Sequence, residues 1–209
     1  MTLALELCGV ILAAGESSRM GEDKALLPWP PSGGSHSTFL SASIRALSNV
    51  TELVIVVAGK NAPSLAPIVY ANGAFLVTNP EPERGQFSSL QVGLQDVLNR
   101  GRDAAMITLV DRPPVRVQTL EKLRKAFEQA VEEGKWSVVP EHDGKHGHPI
   151  VINREMIEAF LKAPVTSNAR EVRKANEFHT NYIAVDDPFV TMNVDTPQDY
   201  EKLSSGNFQ

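Results

Sequence analysis

Arg19 and Lys24 stand among glycines in Gly15-Glu-Ser-Ser-Arg19-Met-Gly21-Glu-Asp-Lys24, the stretch of this 209-residue chain best equipped for chemistry. Gly15 and Gly21 lack a Cβ and tolerate positive φ, so backbone N–H groups between them can converge on anionic oxygens while the two cations supply charge. That is a phosphate-binding layout. A Walker A loop would place four residues between its glycines and follow the second directly with Lys and Ser/Thr; here five intervene and Lys24 comes three residues after Gly21. The G-x-G-x-x-G dinucleotide fingerprint is also absent. A surface loop of chance composition is the alternative, and the apolar run immediately before the loop, together with both cations, argues against it.

Regular elements must hold such a loop in place. Apolar runs at 7–13, 53–58, 75–77, 106–110 and 137–139 read as strands. Between them Leu40, Ile44 and Leu47 share one helical face, as do Leu90, Leu94, Val97 and Leu98, and Leu120, Leu123, Phe127 and Val131. Continuous apolar strands alternating with helices predict a three-layer α/β/α sandwich around a mostly parallel, Rossmann-like sheet. Ligands of such sheets bind beyond the carboxyl ends of the strands. The Gly15 to Lys24 loop follows the first strand there, Asp111 follows 106–110, and Met192 to Val194 leads into Asp195. Thr196 reads as an N-cap with Pro197 at the first helical position, so a strand-to-helix switch is expected after Asp195. Gly85 to Ser89 opens a helix ending near Arg100, with Ser88 or Ser89 either capping it or touching a nucleoside. Residues 29–36 read as a loop.

Composition narrows the class. With 42% hydrophobic and 22% charged residues the chain is an ordinary globular protein. One domain over 1–209 is expected, with 204–209 frayed. A net charge of −5 argues against a non-specific nucleic-acid binder, so no nucleic-acid partner is expected. Cys8, the lone cysteine, rules out an internal disulfide and a Cys-rich zinc site and reads as a core thiol. The N-terminus has no basic start, and no apolar run approaches the roughly 18 residues of a membrane span, so a soluble, cytoplasmic protein without a membrane partner is expected.

The run from Leu12 to Pro28, Leu-Ala-Ala-Gly-Glu-Ser-Ser-Arg-Met-Gly-Glu-Asp-Lys-Ala-Leu-Leu-Pro, resembles without a gap the signature of nucleotidyltransferases related to molybdenum cofactor cytidylyltransferase and molybdopterin-guanine dinucleotide synthase. Shorter matches follow in order: Gly85-Gln-Phe-Ser88-Ser89-Leu90, Val110-Asp111-Arg112-Pro113, His146-Gly147-His148-Pro149 and Asn193-Val-Asp195-Thr196-Pro197-Gln-Asp-Tyr200. The resemblance implies a Mg²⁺-dependent enzyme that transfers a nucleotidyl group from a nucleoside triphosphate to molybdopterin or another phosphate-bearing acceptor, releasing pyrophosphate and delivering product to a molybdoenzyme. It implies nucleotide contacts from Leu12, Ala13, Ala14, Gly15, Ser17, Ser18, Arg19, Gly21, Lys24, Gly85, Ser88 and Ser89. It also implies a metal-binding carboxylate at Asp111 and an acceptor side at Gly147, His148 and Pro149. Cytidylyl members read Leu-Ala-Ala-Gly where guanylyl members read Leu-Ala-Gly-Gly, so Leu12-Ala13-Ala14-Gly15 implies CTP over GTP.

The residue types suit that chemistry. Attack of a phosphate on the α-phosphorus needs positioning and charge, supplied by Arg19, Lys24 and a hard-oxygen site for Mg²⁺, with no side-chain nucleophile. Asp111 and Asp195 are the candidate metal carboxylates. Their structural alternatives are a helix N-terminal residue ahead of Pro113-Pro114 and a cap, while Asp23 reads as a solvated turn residue. His142, His146 and His148 match no zinc spacing and read as loop residues. Arg170, Arg173 and Lys174 on a short helix meet either an anionic acceptor or solvent. Arg112, and the long 29–37 loop, depart from the pattern and leave the acceptor open: Arg112 either serves a more anionic acceptor or points into solvent. Two alternatives remain, an enzyme for a sugar or alditol phosphate and a non-catalytic nucleotide-binding accessory protein.

Overall fold

A computed structural model describes residues 6–15, 17, 20–31, 37–164 and 166–204. Strand β1 (Leu7–Ala13) is buried at all seven positions, as a strand with neighbours on both edges and helices on both faces must be. Those neighbours are β2 (Leu53–Ala58) and β4 (Ala104–Leu109), both parallel, with Val10 opposite Ile55 and Ile107. β3 (Phe75–Thr78) extends the parallel set beyond β2. On the other side β7 (Ile150–Asn153) runs antiparallel to both β4 and β5 (Ser137–His142), and β8 (Thr180–Ala184) lies parallel to β5. The sheet order is β3-β2-β1-β4-β7-β5, with the two-residue β6 (Lys145–His146) and β8 both pairing with β5.

Period-2 alternation divides the core between two helical layers. Leu7, Ile11 and Ala13 pack with α1 (Phe39–Ser48), α2 (Ala62–Ala71) and α4 (Val117–Glu132), whereas Cys8, Val10 and Leu12 pack with α3 (Gln86–Asn99), α5 (Arg154–Lys162) and α6 (Ala169–Ala175). This is the expected three-layer α/β/α sandwich. Burial pushes the Cys8 thiol up to about 12, so it is an inert core group. A smaller cluster joins Met20, Leu27, Phe39 and Val194 to Leu203 of α7 (Pro197–Ser204), and Trp29 packs edge-on to Phe39 at 5.1 Å. Among the described residues no helix is long and apolar enough to cross a membrane.

Three expectations change. Met192 to Val194 is irregular rather than a strand, pinned instead by the Val194 N–H donating to the Asp111 carbonyl at 2.7 Å. Residues 142–148 are not a simple loop: Asp143 (φ 49°) and Gly144 (φ 70°) form the two-residue turn of a β5–β6 hairpin, because an Asp-Gly pair with both φ positive matches the twist of the flanking strands. Of the two glycines proposed for positive φ in the first loop, only Gly21 (φ 81°) adopts it, and Ser17 (φ 50°) takes the other left-handed position. The described parts of the 29–37 loop are tied by Trp29 N–H to the Ser37 carbonyl at 2.8 Å, and residues 32–36 lie outside the described residues.

Candidate active site

The first loop leaves β1 and is fastened from three directions. The Lys24 N–H donates to Ser17 Oγ at 3.2 Å, and Lys24 opens a short 3-10 turn (Lys24–Leu26) whose N-cap is Asp23, accepting from Ala25 N–H at 3.0 Å. Asp23 is therefore not the solvated turn residue expected. Its other oxygen accepts from Asn61 Nδ2 at 2.7 Å, and the same nitrogen reaches the Ala13 carbonyl at 2.9 Å. Asn61, at the β2–α2 corner, thus links the end of β1 to the turn that carries Lys24. No motif pointed to it.

Lys24 is buried at 7% exposure, and its Nζ donates to Asp195 Oδ1 at 2.7 Å. Together with Asp111 they line a cavity of about 210 Å³ that also receives Leu12, Gly15 and Ser17. Residues 171 positions apart in sequence thereby meet on one rim. Asp195 is fixed by the next turn, where Thr196 and Asp199 exchange hydrogen bonds: Thr196 N–H to Asp199 Oδ2 at 2.9 Å and Asp199 N–H to Thr196 Oγ1 at 3.3 Å. That reciprocal pair is a cap, as expected for Thr196 ahead of Pro197.

Asp111 is not a helix N-terminal residue, since α4 begins at Val117 with Arg116 as its N-cap. Among the described residues its Oδ1 is buried without a hydrogen-bond partner. Burial pushes this carboxyl above its ordinary range, Lys24 and Arg112 pull it back, and the neighbouring Asp195 charge adds to the rise. A buried oxygen with an idle lone pair beside a second carboxylate fits a hard divalent cation, whose remaining ligands would be phosphate and water oxygens. Among the described residues no group of three or more His, Cys, Asp or Glu side chains is placed to hold a metal ion.

Two further cavities open from this centre. One of about 390 Å³ is lined by Ala14, Gly15, Glu83, Gly85 and Ser89; the other, about 310 Å³, by Phe87, Leu90, Ile107, His148 and Arg173. Leu12 and Gln86 line all three. Gln86, to which no sequence motif assigns a role, is the first residue of α3 and sits where the cavities join. Gly85 (φ 93°) is the N-cap of α3, so neither serine caps it. Asn79, 3% exposed, instead donates to Ser88 Oγ at 2.9 Å and Ser89 Oγ at 3.0 Å and holds both.

The remaining sequence candidates are dispersed. Ser18 and Arg19 lie outside the described residues, as does Glu16 between the loop glycines. Ala13, Gly21 and Ser88 do not line these three cavities; Ala13 is core, its carbonyl taken by Asn61. Gly147 is tied to the Val190 backbone: a Cβ there would fall 2.1 Å from the Val190 carbonyl oxygen. That oxygen accepts from His148 N–H at 2.7 Å and from Arg112 at 2.9 Å, so Arg112 turns inward rather than into solvent. Pro149 faces away, toward Leu47 and Val115. His142 bonds the Val185 carbonyl at 2.9 Å and His146 stacks on Tyr182 at 4.0 Å, so the three histidines diverge. Only His148 reaches the cleft, where burial drives it down to about 3 and keeps it neutral.

A glycine-bracketed loop after the central strand, Asp111 beyond the neighbouring strand end and Asp195 brought beside it by an irregular segment form the kind of strand-end site at which α/β enzymes bind nucleotides. The chain belongs to the MobA-like NTP transferase domain family, whose profile matches residues 9–181, and is a nucleotidyltransferase. It is 24% identical over 193 residues to the molybdenum cofactor cytidylyltransferase of Escherichia coli (strain K12), covering 91% of this chain and 92% of that protein. It is 30% identical over 200 residues to a probable molybdenum cofactor guanylyltransferase of Mycobacterium marinum, with 94% and 92% covered. In structure it resembles Mycobacterium tuberculosis Rv0371c (TM-score 0.79, 25% identity, 96% and 98% covered), a protein also solved in complex with manganese (TM-score 0.74, 24% identity, 96% and 98% covered).

Proposed function

We propose that this nucleotidyltransferase acts in molybdenum cofactor biosynthesis as a single catalytic domain, moving a nucleotidyl group from a nucleoside triphosphate to the phosphate of molybdopterin. An acceptor phosphate oxygen attacks the α-phosphorus, the bond from that phosphorus to the bridging oxygen breaks, and pyrophosphate leaves. Delivery to a molybdoenzyme follows. The observation that carries this reading is the meeting of Lys24, Asp111 and Asp195 in one cavity beside the glycine loop. Asp111 and Asp195 would hold a divalent cation, Mg²⁺ by the preference of nucleotide phosphates, which when bound offsets charge on the phosphate oxygens. Lys24, with Arg19, stabilises the charge that builds on the departing pyrophosphate. Ala14, Gly15, Gly85 and Ser89 line the nucleoside side, and His148 and Arg112 stand on the acceptor side, both bonded to the Val190 carbonyl, against which Gly147 packs.

CTP is the preferred nucleotide in this reading. The relatives divide between cytidylyl and guanylyl transfer, and the support for a pyrimidine is the Ala14 methyl on the wall of the 390 Å³ cavity. A shape difference of that size discriminates by about 10- to 200-fold in kcat/KM. Pyrophosphate release with CTP and GTP competing for molybdopterin, and with sugar phosphates as rival acceptors, tests it. Equal use of the two nucleotides would sink the base assignment, and a sugar phosphate serving better would replace the acceptor.

A further inference from the structure

The 310 Å³ cavity is built differently from the one around Lys24. Its floor is apolar, with Leu90, Ile107 and Ile150, while Arg84, Gln86, Ser167 and Asn168 join the rim; Arg84 is paired with Glu81, whereas His148 and Arg173 are left wanting. His148 Nδ1 faces the Ile107 carbonyl at 3.4 Å; a carbonyl only accepts, so the ring proton sits on Nδ1 and Nε2 remains an acceptor. Arg173 has a buried Nε with no hydrogen-bond partner and makes no ion pair among the described residues. Of the three cations on α6, Arg170 and Lys174 are exposed and only Arg173 turns toward the cleft. Leaving a guanidinium N–H dry and unpaired is costly, so the cost is recovered only when a ligand oxygen arrives. His148 shares the Val190 carbonyl with Arg112, the neighbour of Asp111, and lines the same cavity as Arg173 of α6, so it links the two arginines.

We infer that Arg173 determines acceptor specificity by binding an oxygen-bearing, anionic or carbonyl-rich group on the acceptor body, at the end remote from the attacking phosphate. The acceptor class is a body with apolar surface for Leu90, Ile107 and Ile150, an N–H donor for His148 and oxygens for Arg173. A guanidinium suits paired oxygens better than an ammonium does. This inference rests on the proposed phosphate-acceptor reading of the same cleft.

The test is steady-state kinetics of CTP with molybdopterin for the wild type, Arg173→Met, which keeps the apolar volume, and Arg173→Lys. Arg173→Met should raise the acceptor KM at least tenfold while the CTP KM, kcat at saturating acceptor and the thermal midpoint stay within error. Arg173→Lys should recover part of the loss. An unmoved acceptor KM, or equal rises in both KM values, overturns the inference. Lys24→Ala measured alongside separates the two levels. Turnover lost in Lys24→Ala with acceptor KM unmoved in Arg173→Met removes the inference alone, whereas no acceptor-dependent pyrophosphate release by the wild type removes both.

Discussion

The two sides of the cleft handle charge in opposite ways. Around the first loop, polar groups meet their partners: the Lys24 ammonium donates to Asp195 at 2.7 Å, and the uncharged Asn61 amide donates to Asp23 at 2.7 Å. On the side proposed for the acceptor the polar groups are buried and incomplete: among the described residues Arg112 Nε and Arg173 Nε have no partner, and His148 is neutral. A network of satisfied pairs is rigid and poised for a ligand that exchanges one ion contact for another. Unsatisfied donors beside apolar side chains are a reservoir that a ligand relieves, which is why discrimination is proposed for that side.

The contrast breaks most severely at Asp111, which belongs to neither side. Asp111→Asn should lower kcat by roughly 10²- to 10³-fold, the scale of removing one preorganised charge contact, and excess Mg²⁺ should restore part of it. Because burial already disfavours the ionised carboxyl, the same substitution should leave the thermal midpoint unchanged or raise it. A clear fall in midpoint with intact turnover would assign Asp111 a structural task.

Lys24→Ala comes next, with about 10²-fold loss of turnover. The loop alone would have made this change harmless to folding, but a buried ammonium bound to Asp195 does not permit that. A cost of about 1–2 kcal/mol is expected, below the roughly 3–5 kcal/mol of a fully buried pair because the Asp195 side chain keeps 29% exposure. Denaturant titration of Lys24→Ala, Asp195→Ala and the double variant should show coupling of that size, and additive costs would dissolve the pair.

On the acceptor side the steric test is Gly147→Ala. A methyl group 2.1 Å from the Val190 oxygen forces the hub apart, so a loss of about 2–3 kcal/mol is expected, together with a higher acceptor KM as Arg112 and His148 lose their shared anchor. An unchanged midpoint and KM would show that the hub positions nothing.

The last prediction concerns pH, an effect that is negligible near neutrality and grows only as the solution is acidified. His148 is neutral in the fold down to about 3, whereas the unfolded chain protonates it near 6.5, so between those values the unfolded state binds the extra proton and stability falls as pH falls. The slope from this one group is at most about 1.4 kcal/mol per pH unit. His148→Gln should flatten the acid limb over that window in urea titrations, and an unchanged limb would mean that His148 protonates freely in the fold.

How much of this was legible differed along the same divide. β1 and β2 were readable to the residue because a strand buried on both faces is a continuous apolar run, and the loop between Gly15 and Lys24 follows one of them directly. β7 and β8 were not: Ile150–Asn153 and Thr180–Ala184 are short, antiparallel or at an edge, and leave little pattern. Asp195 could be picked out as a carboxylate at an element boundary, but its partnership with Lys24 is a long-range contact that no local spacing reveals. Arg173 and its two cationic neighbours were chemically alike in sequence, and only helix rotation separates the one facing the cleft. Gln86 and Asn61 were passed over because an uncharged amide gives no signal until its neighbours are in place.

The central claim is that nucleotide and acceptor meet at Lys24, Asp111 and Asp195, and its most direct measurement is pyrophosphate release from CTP and Mg²⁺ with and without molybdopterin, for the wild type and Asp111→Asn. The expected result is release by the wild type only when acceptor is present, falling at least about 10²-fold in Asp111→Asn. Release that ignores the acceptor, or an Asp111→Asn variant as fast as the wild type, contradicts it.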